Sequence, residues 1–409
     1  MFLLFSFLLA FQAFGSEEKL HLDLELSSQE YAKLLIQKKF SGAEVDPAIT
    51  EALRNGERLS KWISLLNASR SADAAIRLTS ASTRRGYPIE SPFTYSPATI
   101  KTETISILSN LPDEMLRALK SPSELPGSLT IDDATFITHA RYLDTNYQRA
   151  ARYTLLDPNR AYYIGAAKKD IRGYHFLTTR KIGPEQLRDP VIVRGPLAEK
   201  ISEALLKICL NSGASASTCT TKLKEATDQN SLDDFYQAYF LTAQTNWDNF
   251  FKIPFYRGDV RWSGNVLTVP FNTPSEARFV PYLRDNIQDE FRFSGWKLLL
   301  DFGSFDFGPR LVFKPGVVPH VNALAGNQII MDANQPIEEY ESKWTIRHEF
   351  GHVLGLPDCY HEFYDVKTQA YVSYQLDTSD LMCSRAGNMN ERIYQELRRV
   401  YRKNFSTDL

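Results

Sequence analysis

The sequence has little net charge, only four cysteines and, beyond its first residues, no long apolar run. Its 409 residues carry 47 basic and 49 acidic side chains, a formal net charge of -2. Proteins that bind nucleic acid usually show a clear excess of Lys and Arg, so this balance argues against such a partner. Hydrophobic residues make up 43% of the chain, too many for a disordered protein. The length predicts two or three folded domains.

Nothing after residue 15 is long and apolar enough to span a bilayer, so we predict no stable membrane anchor there. Residues 1–14 are almost entirely apolar and lead into Ala13-Phe14-Gly15, a small-x-small pattern before a charged stretch. This pattern predicts a signal peptide over residues 1–15, although the usual Lys or Arg is absent. No cysteine stands near the cleavage site, which argues against a lipid anchor. We therefore expect an exported protein, periplasmic or extracellular.

Four cysteines are few, but an exported protein can keep them as disulfides. Cys209 and Cys219 flank a small polar loop over residues 211–218, and a bridge between them would close that loop. Cys359 and Cys383 form the second local pair. Four cysteines allow three connectivities, so the two bridges are a hypothesis and free buried thiols are the alternative.

The most informative stretch is His348-Glu349-Phe350-Gly351-His352. On a helix, His348 and His352 are one turn apart on the same face, so both imidazoles can bind one metal ion. Glu349 then lies at the edge of the metal, where a bound water would sit. The spacing predicts a Zn²⁺ site with Glu349 as the catalytic base. Such a pentapeptide also occurs by chance in helices, so the residues that follow it are needed to distinguish a metal site from a chance match.

Those residues predict a sharp turn and a third ligand. Gly355 can adopt the left-handed conformation that ends a helix, and Pro357 cannot continue one. The turn would bring Asp358 back to the metal. Three protein ligands with an open fourth position are typical of a catalytic zinc site. In the alternative, Asp358 is only a turn residue and His361 is the third ligand.

Residues 348–358 resemble the extended zinc signature of the metzincin metallopeptidases, with Asp where most members have a third His. Within this run, Leu354-Gly355-Leu356-Pro357-Asp358-Cys359-Tyr360 is similar to the snapalysin type, small secreted bacterial enzymes with an Asp ligand. The resemblance implies a zinc endopeptidase in which a methionine turn forms an apolar floor below the metal. Asp380-Leu381-Met382-Cys383 is the candidate turn, with Met389 as the weaker alternative to Met382.

One family feature is absent, because Ser384 stands where some metzincins carry a tyrosine near the metal. No such tyrosine is assigned. A bridge between Cys359 and Cys383 would staple the third ligand to the methionine turn.

The N-terminal half carries no chemical motif. We predict a mainly α-helical region over residues 16–245, either a removable propeptide or a permanent accessory domain, with a Ser/Thr/Pro-rich linker near residues 80–104. Helical apolar spacing occurs at Ser27–Phe40, Ile49–Leu66, Leu111–Leu119, Ile131–Leu155, Leu197–Leu210 and Leu232–Thr245.

From about Arg257 the pattern changes to short strands and one helix before the zinc motif. This predicts a metallopeptidase domain over residues 246–409 and an α+β fold, with a small twisted sheet beside the zinc helix. Strands are predicted at Val266–Val269, Trp296–Phe302, Arg310–Phe313 and Asn327–Asp332, and a helix at Ser275–Phe291. In the metzincin family an edge strand pairs with an extended substrate. We expect Ala323–Met331 to be that edge, with a protein or peptide bound along it.

Together these features predict a secreted, zinc-dependent endopeptidase. The alternative is an exported binding protein in which zinc only braces the fold, but a bracing site has no need of Glu349. A third hypothesis is a thermolysin-type site with Glu391 or Glu396 as ligand, which requires the chain to continue past Gly355 without turning.

Overall fold

A computed structural model describes residues 46–71, 74–76, 78, 87–121, 124–314, 319–333, 340–384 and 387–402. The predicted signal peptide and the helix predicted at Ser27–Phe40 lie outside these ranges. Helix and strand make up 54% and 15% of the structure, so the mixed composition predicted from the sequence is confirmed. Within the described ranges, no helix has both the length and the apolar character needed to cross a membrane.

Helices predominate in the first part of the described chain, and most strands lie in the second. The helices are α1 Pro47–Asn67, α2 Pro97–Ser109, α3 Asp113–Lys120, α4 Asp133–Leu156, α5 Arg160–Ala166, α6 Arg172–Thr179, α7 Pro184–Arg188, α8 Pro190–Val193, α9 Ala198–Leu210, α10 Ala216–Asp228, α11 Leu232–Asn249, α12 Phe279–Glu290, α13 Tyr340–Val353 and α14 Glu391–Leu397, followed by a π-helical turn Arg398–Arg402. The strands are β1 Phe93–Tyr95, β2 Arg261–Ser263, β3 Val266–Asn272, β4 Arg292–Phe293, β5 Trp296–Gly303, β6 Arg310–Lys314, β7 His320–Val321, β8 Gln328–Asp332, β9 Tyr360–Asp365 and β10 Ala370–Gln375.

Two groups of helices build the N-terminal part. Helices α1 to α4 pack around one apolar core that includes Trp62 and Phe136, and α9 to α11 pack around a second core that includes Ile208. The five helices predicted between residues 49 and 245 are all present, with ends within about four residues of those expected from apolar spacing. The first begins where Asp46 accepts a hydrogen bond from Ala48 N at 2.8 Å.

The linker predicted near residues 80–104 is wrong over its second part, where the structure has β1 and the start of α2. The Ser, Thr and Pro residues that suggested a loop are instead the start signal of the helix. Ser96 Oγ accepts from Thr99 N at 3.2 Å, and Thr99 Oγ1 accepts from Ser96 N at 2.8 Å. With Pro97 at the first helical position, this is a capping box.

Two small sheets and α12 to α14 share the C-terminal core. The first sheet has the order β2-β3-β5-β4, with β3 and β5 parallel, and the second has the order β6-β8-β7, with β6 and β8 parallel. The two sheets adjoin where Asn272 N donates to Pro309 O at 2.8 Å. Buried side chains of α13, including Phe350, pack on this core.

The edge strand predicted at Ala323–Met331 is wrong in position and in kind. The strand begins at Gln328, and Ile329 and Ile330 pair with β6 on one side and with β7 on the other. A short apolar run such as this one is typical of a strand buried between two neighbours, not of an edge. The antiparallel strand at the outer end of this sheet is β7.

The third sheet joins the two halves of the chain. Its order is β1-β10-β9, with all pairs antiparallel, so a strand from the N-terminal half pairs with a hairpin from the C-terminal half. This hairpin, which lies between Asp358 and the methionine turn, was not predicted from the sequence.

The predicted Cys209–Cys219 bridge is present between α9 and α10, with its Cα atoms 5.8 Å apart. Replacing both cysteines by serine should lower the free energy of unfolding by about 3 kcal/mol, because the short closed loop restricts the unfolded chain. Metal binding should change little, since the bridge joins two helices and neither cysteine belongs to the group of potential ligands around His348. Urea unfolding followed by circular dichroism measures the first effect, and an unchanged midpoint would contradict it.

Candidate metal centre

Helix α13 places His348 and His352 on one face, with ring centroids 4.8 Å apart and ring planes at 87°. Asp358 Oδ1 lies 3.1 Å from His348 Nε2 and 3.3 Å from His352 Nε2. Ligand atoms placed about 2 Å from a tetrahedral zinc ion are about 3.3 Å from one another. The three side chains predicted as ligands are therefore brought together at the spacing that zinc requires.

The predicted turn after the helix is what returns Asp358 to the histidines. Gly355 has a φ of 85°, Gly355 N donates to His352 O at 2.9 Å, and Leu356 N donates to Gly351 O at 3.0 Å. This is a Schellman motif. A Cβ atom at Gly355 would lie 2.1 Å from Phe255 O, so conformation and space both demand glycine.

The same turn argues against the thermolysin-type hypothesis, which needs a straight continuation past Gly355. Glu396 accepts instead from Ile253 N at 2.5 Å, and Glu391 is exposed at the start of α14. Within the described part of the chain, neither carboxylate joins the group of potential ligands around His348 and His352.

Backbone carbonyls determine which nitrogen of each histidine faces Asp358. His348 Nδ1 lies 2.9 Å from Leu381 O, and His352 Nδ1 lies 2.8 Å from Leu356 O. A carbonyl can only accept, so each Nδ1 carries a proton, and in the neutral ring the lone pair of Nε2 faces the carboxylate.

This arrangement fits a bound cation. Asp358 Oδ1 is buried and faces the two Nε2 atoms. Lone pairs on two imidazoles and one carboxylate then face one point, and they repel one another unless a positive charge lies between them. Two nitrogen ligands and one oxygen ligand suit Zn²⁺.

In the absence of a metal, a proton takes the place of that charge. Burial disfavours a charged imidazole, but the Asp358 carboxylate outweighs it, with help from Glu349, and raises the pKa of His352 to about 9. Burial also opposes the charge on Asp358, yet the two histidines hold the pKa of its carboxyl well below its usual range. A metal must therefore displace a proton at neutral pH, and its affinity should rise with pH up to about 9.

His361 lies away from this centre. It belongs to β9, and its ring stacks on Phe363 and meets Tyr374 edge-on, with centroids 5.3 and 5.7 Å away. Burial lowers the pKa of His361 to about 4. Among the described residues, the cluster of potential ligands holds Asp358 and not His361. The geometry therefore favours Asp358 as the third ligand.

Met382 lies against α13, where a methionine floor was expected. Its side chain is 2% exposed, and a Cβ atom at Gly351 would come within 2.3 Å of its Sδ. The glycine between the two histidines is therefore needed for Met382 to approach. Met389 is partly buried elsewhere in the same core, and its backbone N donates to Glu290.

Sequence reasoning assigned no role to Asp380, which organises the methionine turn. Its Oδ1 accepts from Met382 N at 2.8 Å, and its Oδ2 accepts from Arg392 at 2.6 Å. The carboxylate is buried, and burial raises its pKa. The signal in the sequence is an Asp two residues before the methionine, where its side chain can accept a hydrogen bond from the methionine N–H.

The predicted Cys359–Cys383 bridge is present, with its Cα atoms 4.4 Å apart. Beside it, Cys359 N donates to Met382 O at 3.1 Å. The residue after Asp358 is thus held to the methionine turn by a covalent bond and a hydrogen bond. Asp380 and these two cysteines also lie close together, but bridged sulfurs have no thiolate to offer a metal.

A buried arginine, which sequence reasoning also missed, supports the loop that bonds the C-terminal end of α13. Arg257 donates to Phe307 O at 2.7 Å and to Gly326 O at 2.9 Å. The neighbouring Ala325 N donates to His352 O at 2.8 Å. The loop that follows β7 is therefore bonded directly to the second histidine. Nothing in the sequence near Arg257 signals this role.

Glu349 is buried, with 7% of the residue exposed. Its negative charge contributes to the raised pKa of His352. Comparison with known protein families, with curated proteins and with solved structures finds no match for the chain. What this centre does is therefore inferred from its own residues.

Replacing Asp358 by alanine should weaken zinc binding by more than about 100-fold, because a charged ligand is lost. The control His361→Leu keeps an apolar side chain among the aromatic rings and should leave zinc affinity within about threefold. Competition with a chromophoric chelator measures both constants. The reverse pattern would assign the third ligand to His361.

Replacing Gly351 by alanine should destabilise the protein by about 1–3 kcal/mol and weaken zinc binding, because the new methyl group meets Met382. The sign is informative, since alanine in an unobstructed helix would stabilise by up to about 1 kcal/mol. In a Met382→Ala background the loss should largely vanish. Equal effects of Gly351→Ala in both backgrounds, measured by thermal unfolding, would exclude this contact as the cause.

Proposed function

We propose that the protein is a zinc-dependent endopeptidase in which His348, His352 and Asp358 hold the metal and Glu349 transfers the proton. The observation that carries this proposal is the convergence of two Nε2 atoms and one buried carboxylate oxygen at 3.1 and 3.3 Å. The residue that follows His348 in the chain, Glu349, is buried and carries a carboxylate. The predicted secretion and the polypeptide substrate belong to the same proposal, and the two disulfides are compatible with export.

In this proposal each residue has one task in hydrolysis. Zinc, when bound, acidifies a water molecule and polarises the carbonyl group of the scissile bond. Glu349 accepts a proton from the attacking water and delivers it to the leaving amine. The water oxygen bonds to the carbonyl carbon and the C–N bond breaks, so that the products are one carboxylic acid and one amine.

The remaining residues keep the two histidines in position. The carbonyls of Leu381 and Leu356 hold the rings so that both Nε2 atoms face Asp358. The Asp358 carboxylate gives the centre less net positive charge than a third neutral histidine would. We therefore expect that a water bound to this metal would be less acidic than one bound to a metal held by three histidines.

Two features favour catalysis over a bracing role for the metal. A structural zinc site is closed by four protein ligands, but within the described residues no fourth His, Cys, Asp or Glu joins the three. The Asp358 side chain is also 38% exposed, so a substrate can reach the centre. An exported binding protein with a bracing metal accounts for neither feature.

Replacing Glu349 by glutamine tests this function. The zinc-loaded native chain should digest casein, and Glu349→Gln should lower the rate by about 10²- to 10⁴-fold, because the base is lost while the shape is kept. Zinc affinity should change by no more than a few-fold. Digestion at an equal rate by both proteins would exclude Glu349 from the reaction, and a zinc-loaded native chain that cleaves no polypeptide would contradict the function itself.

A further inference from the structure

The hairpin β9–β10 connects the third ligand to the methionine turn. It begins two residues after Asp358 and ends at Gln375. At its base Leu376 N donates to Cys359 O at 3.0 Å, next to the Cys359–Cys383 bridge. Contacts that hold the hairpin in place therefore restrict the backbone close to Asp358.

The hairpin is completed by a strand from the other half of the chain. In the sheet order β1-β10-β9, Phe93 pairs with Ser373 and Tyr95 pairs with Tyr371. Tyr153 and Tyr163 of the helical part also meet the Tyr371 ring, with centroids 5.7 and 5.6 Å away. Without β1, the outer edge of β10 and this aromatic cluster would face water.

A buried charge on β9 is neutralised by the helical part. The Glu362 side chain is 9% exposed, and Arg152 of α4 binds it with two hydrogen bonds, 3.1 Å from Nε and 2.7 Å from Nη2. The fully buried Tyr95 hydroxyl donates to the same carboxylate at 2.6 Å. A buried carboxylate that loses such partners is strongly destabilising.

A second polar cluster holds β10. The Tyr374 hydroxyl donates to Asp170 Oδ1 at 3.0 Å and accepts from Ile171 N at 3.2 Å. Asp170 is buried and also pairs with Arg172 at 2.8 Å and with Lys207 at 3.5 Å. Burial opposes the charge of Asp170, but these two cations lower its pKa to about 2. The network spans α6, α9 and the hairpin.

We propose that residues 87–249 remain in the working protein and position Asp358 through the hairpin, with Arg152, Tyr95 and Glu362 as the principal contact. If this region were removed, the hairpin would lose a paired strand, the partners of Glu362 and those of Tyr374. Among the described residues, the group of potential metal ligands includes none from this region. The inference rests on the proposed metal site.

Zinc affinity of Arg152→Met tests the positioning role, with Arg70→Met as a control for loss of an arginine–carboxylate pair away from the hairpin. Arg70 also binds a carboxylate, Asp133, through two nitrogens, and its side chain has similar exposure, 22% against 26%. Asp133 lies at the start of α4, in the helical part. Arg152→Met should weaken zinc binding about tenfold and change the visible spectrum of the Co²⁺-substituted protein, because the ligand geometry loosens. Arg70→Met should do neither.

Tyr95→Phe serves as a milder variant in case Arg152→Met does not fold, since it removes only the hydroxyl that bonds Glu362. It should weaken zinc binding by about threefold. Equal shifts for the Arg70 and hairpin-contact variants, or no shift for either, would overturn the positioning role.

The mass of the metal-loaded protein tests permanence. The full chain, expressed in an exporting host and purified with bound zinc, should retain residues 87–249 as judged by intact mass. A zinc-bound species that begins after residue 249 would overturn the inference. Neither readout depends on peptide cleavage, so a chain that meets both expectations but digests no protein would contradict only the proposed function. A chain that binds no zinc would contradict both.

Discussion

The electron pairs of three potential ligand atoms face one point, and the C-terminal structure must hold these atoms together against their mutual repulsion. Two imidazole nitrogens and a buried carboxylate oxygen face one another at 3.1 and 3.3 Å, with both ring protons already committed to backbone carbonyls. Such an arrangement is unfavourable unless a metal ion or an added proton supplies a positive charge. The structure keeps it through the Schellman turn at Gly355, the methionine turn and a disulfide, and this concentration of constraints is what a pre-organised metal site requires.

The contacts behind the ligands also connect the site to its own folding. The carbonyl that orients His352 belongs to Leu356 in the turn, and the carbonyl that orients His348 belongs to Leu381 in the methionine turn. Ring orientation is therefore correct only after both turns have formed. Asp380, bonded to Met382 N and to Arg392, extends this dependence to α14. The metal centre is assembled from segments that stabilise one another, and the helical part adds the outer support.

Local chemistry accounts for what could be predicted from the sequence. The spacing of His348 and His352, the left-handed Gly355 and both cysteine pairs depend on short chain separations, and the structure contains each of them. The pairing of Phe93 with Ser373 joins residues that lie far apart in the sequence, and no local pattern encodes such a contact. This is why the hairpin and its partners were missed.

The errors in the prediction have similar causes. Near Ser96, a capping box was interpreted as linker composition because Ser, Thr and Pro serve both purposes. At Ile329, an apolar run was interpreted as an edge, although its two neighbouring strands come from separate parts of the sequence. Arg257 reaches backbone carbonyls that lie 50 to 69 residues away, a role that depends entirely on the tertiary fold.

X-ray absorption at the zinc edge of the metal-loaded chain tests the central claim most directly, because it counts the ligands at the metal. We expect two imidazoles and otherwise oxygen ligands, at about 2.0–2.2 Å, with no sulfur shell near 2.3 Å. A third imidazole would replace Asp358 by His361, and a sulfur shell would place the metal at Cys359 and Cys383. Either result would contradict a centre formed by His348, His352 and Asp358.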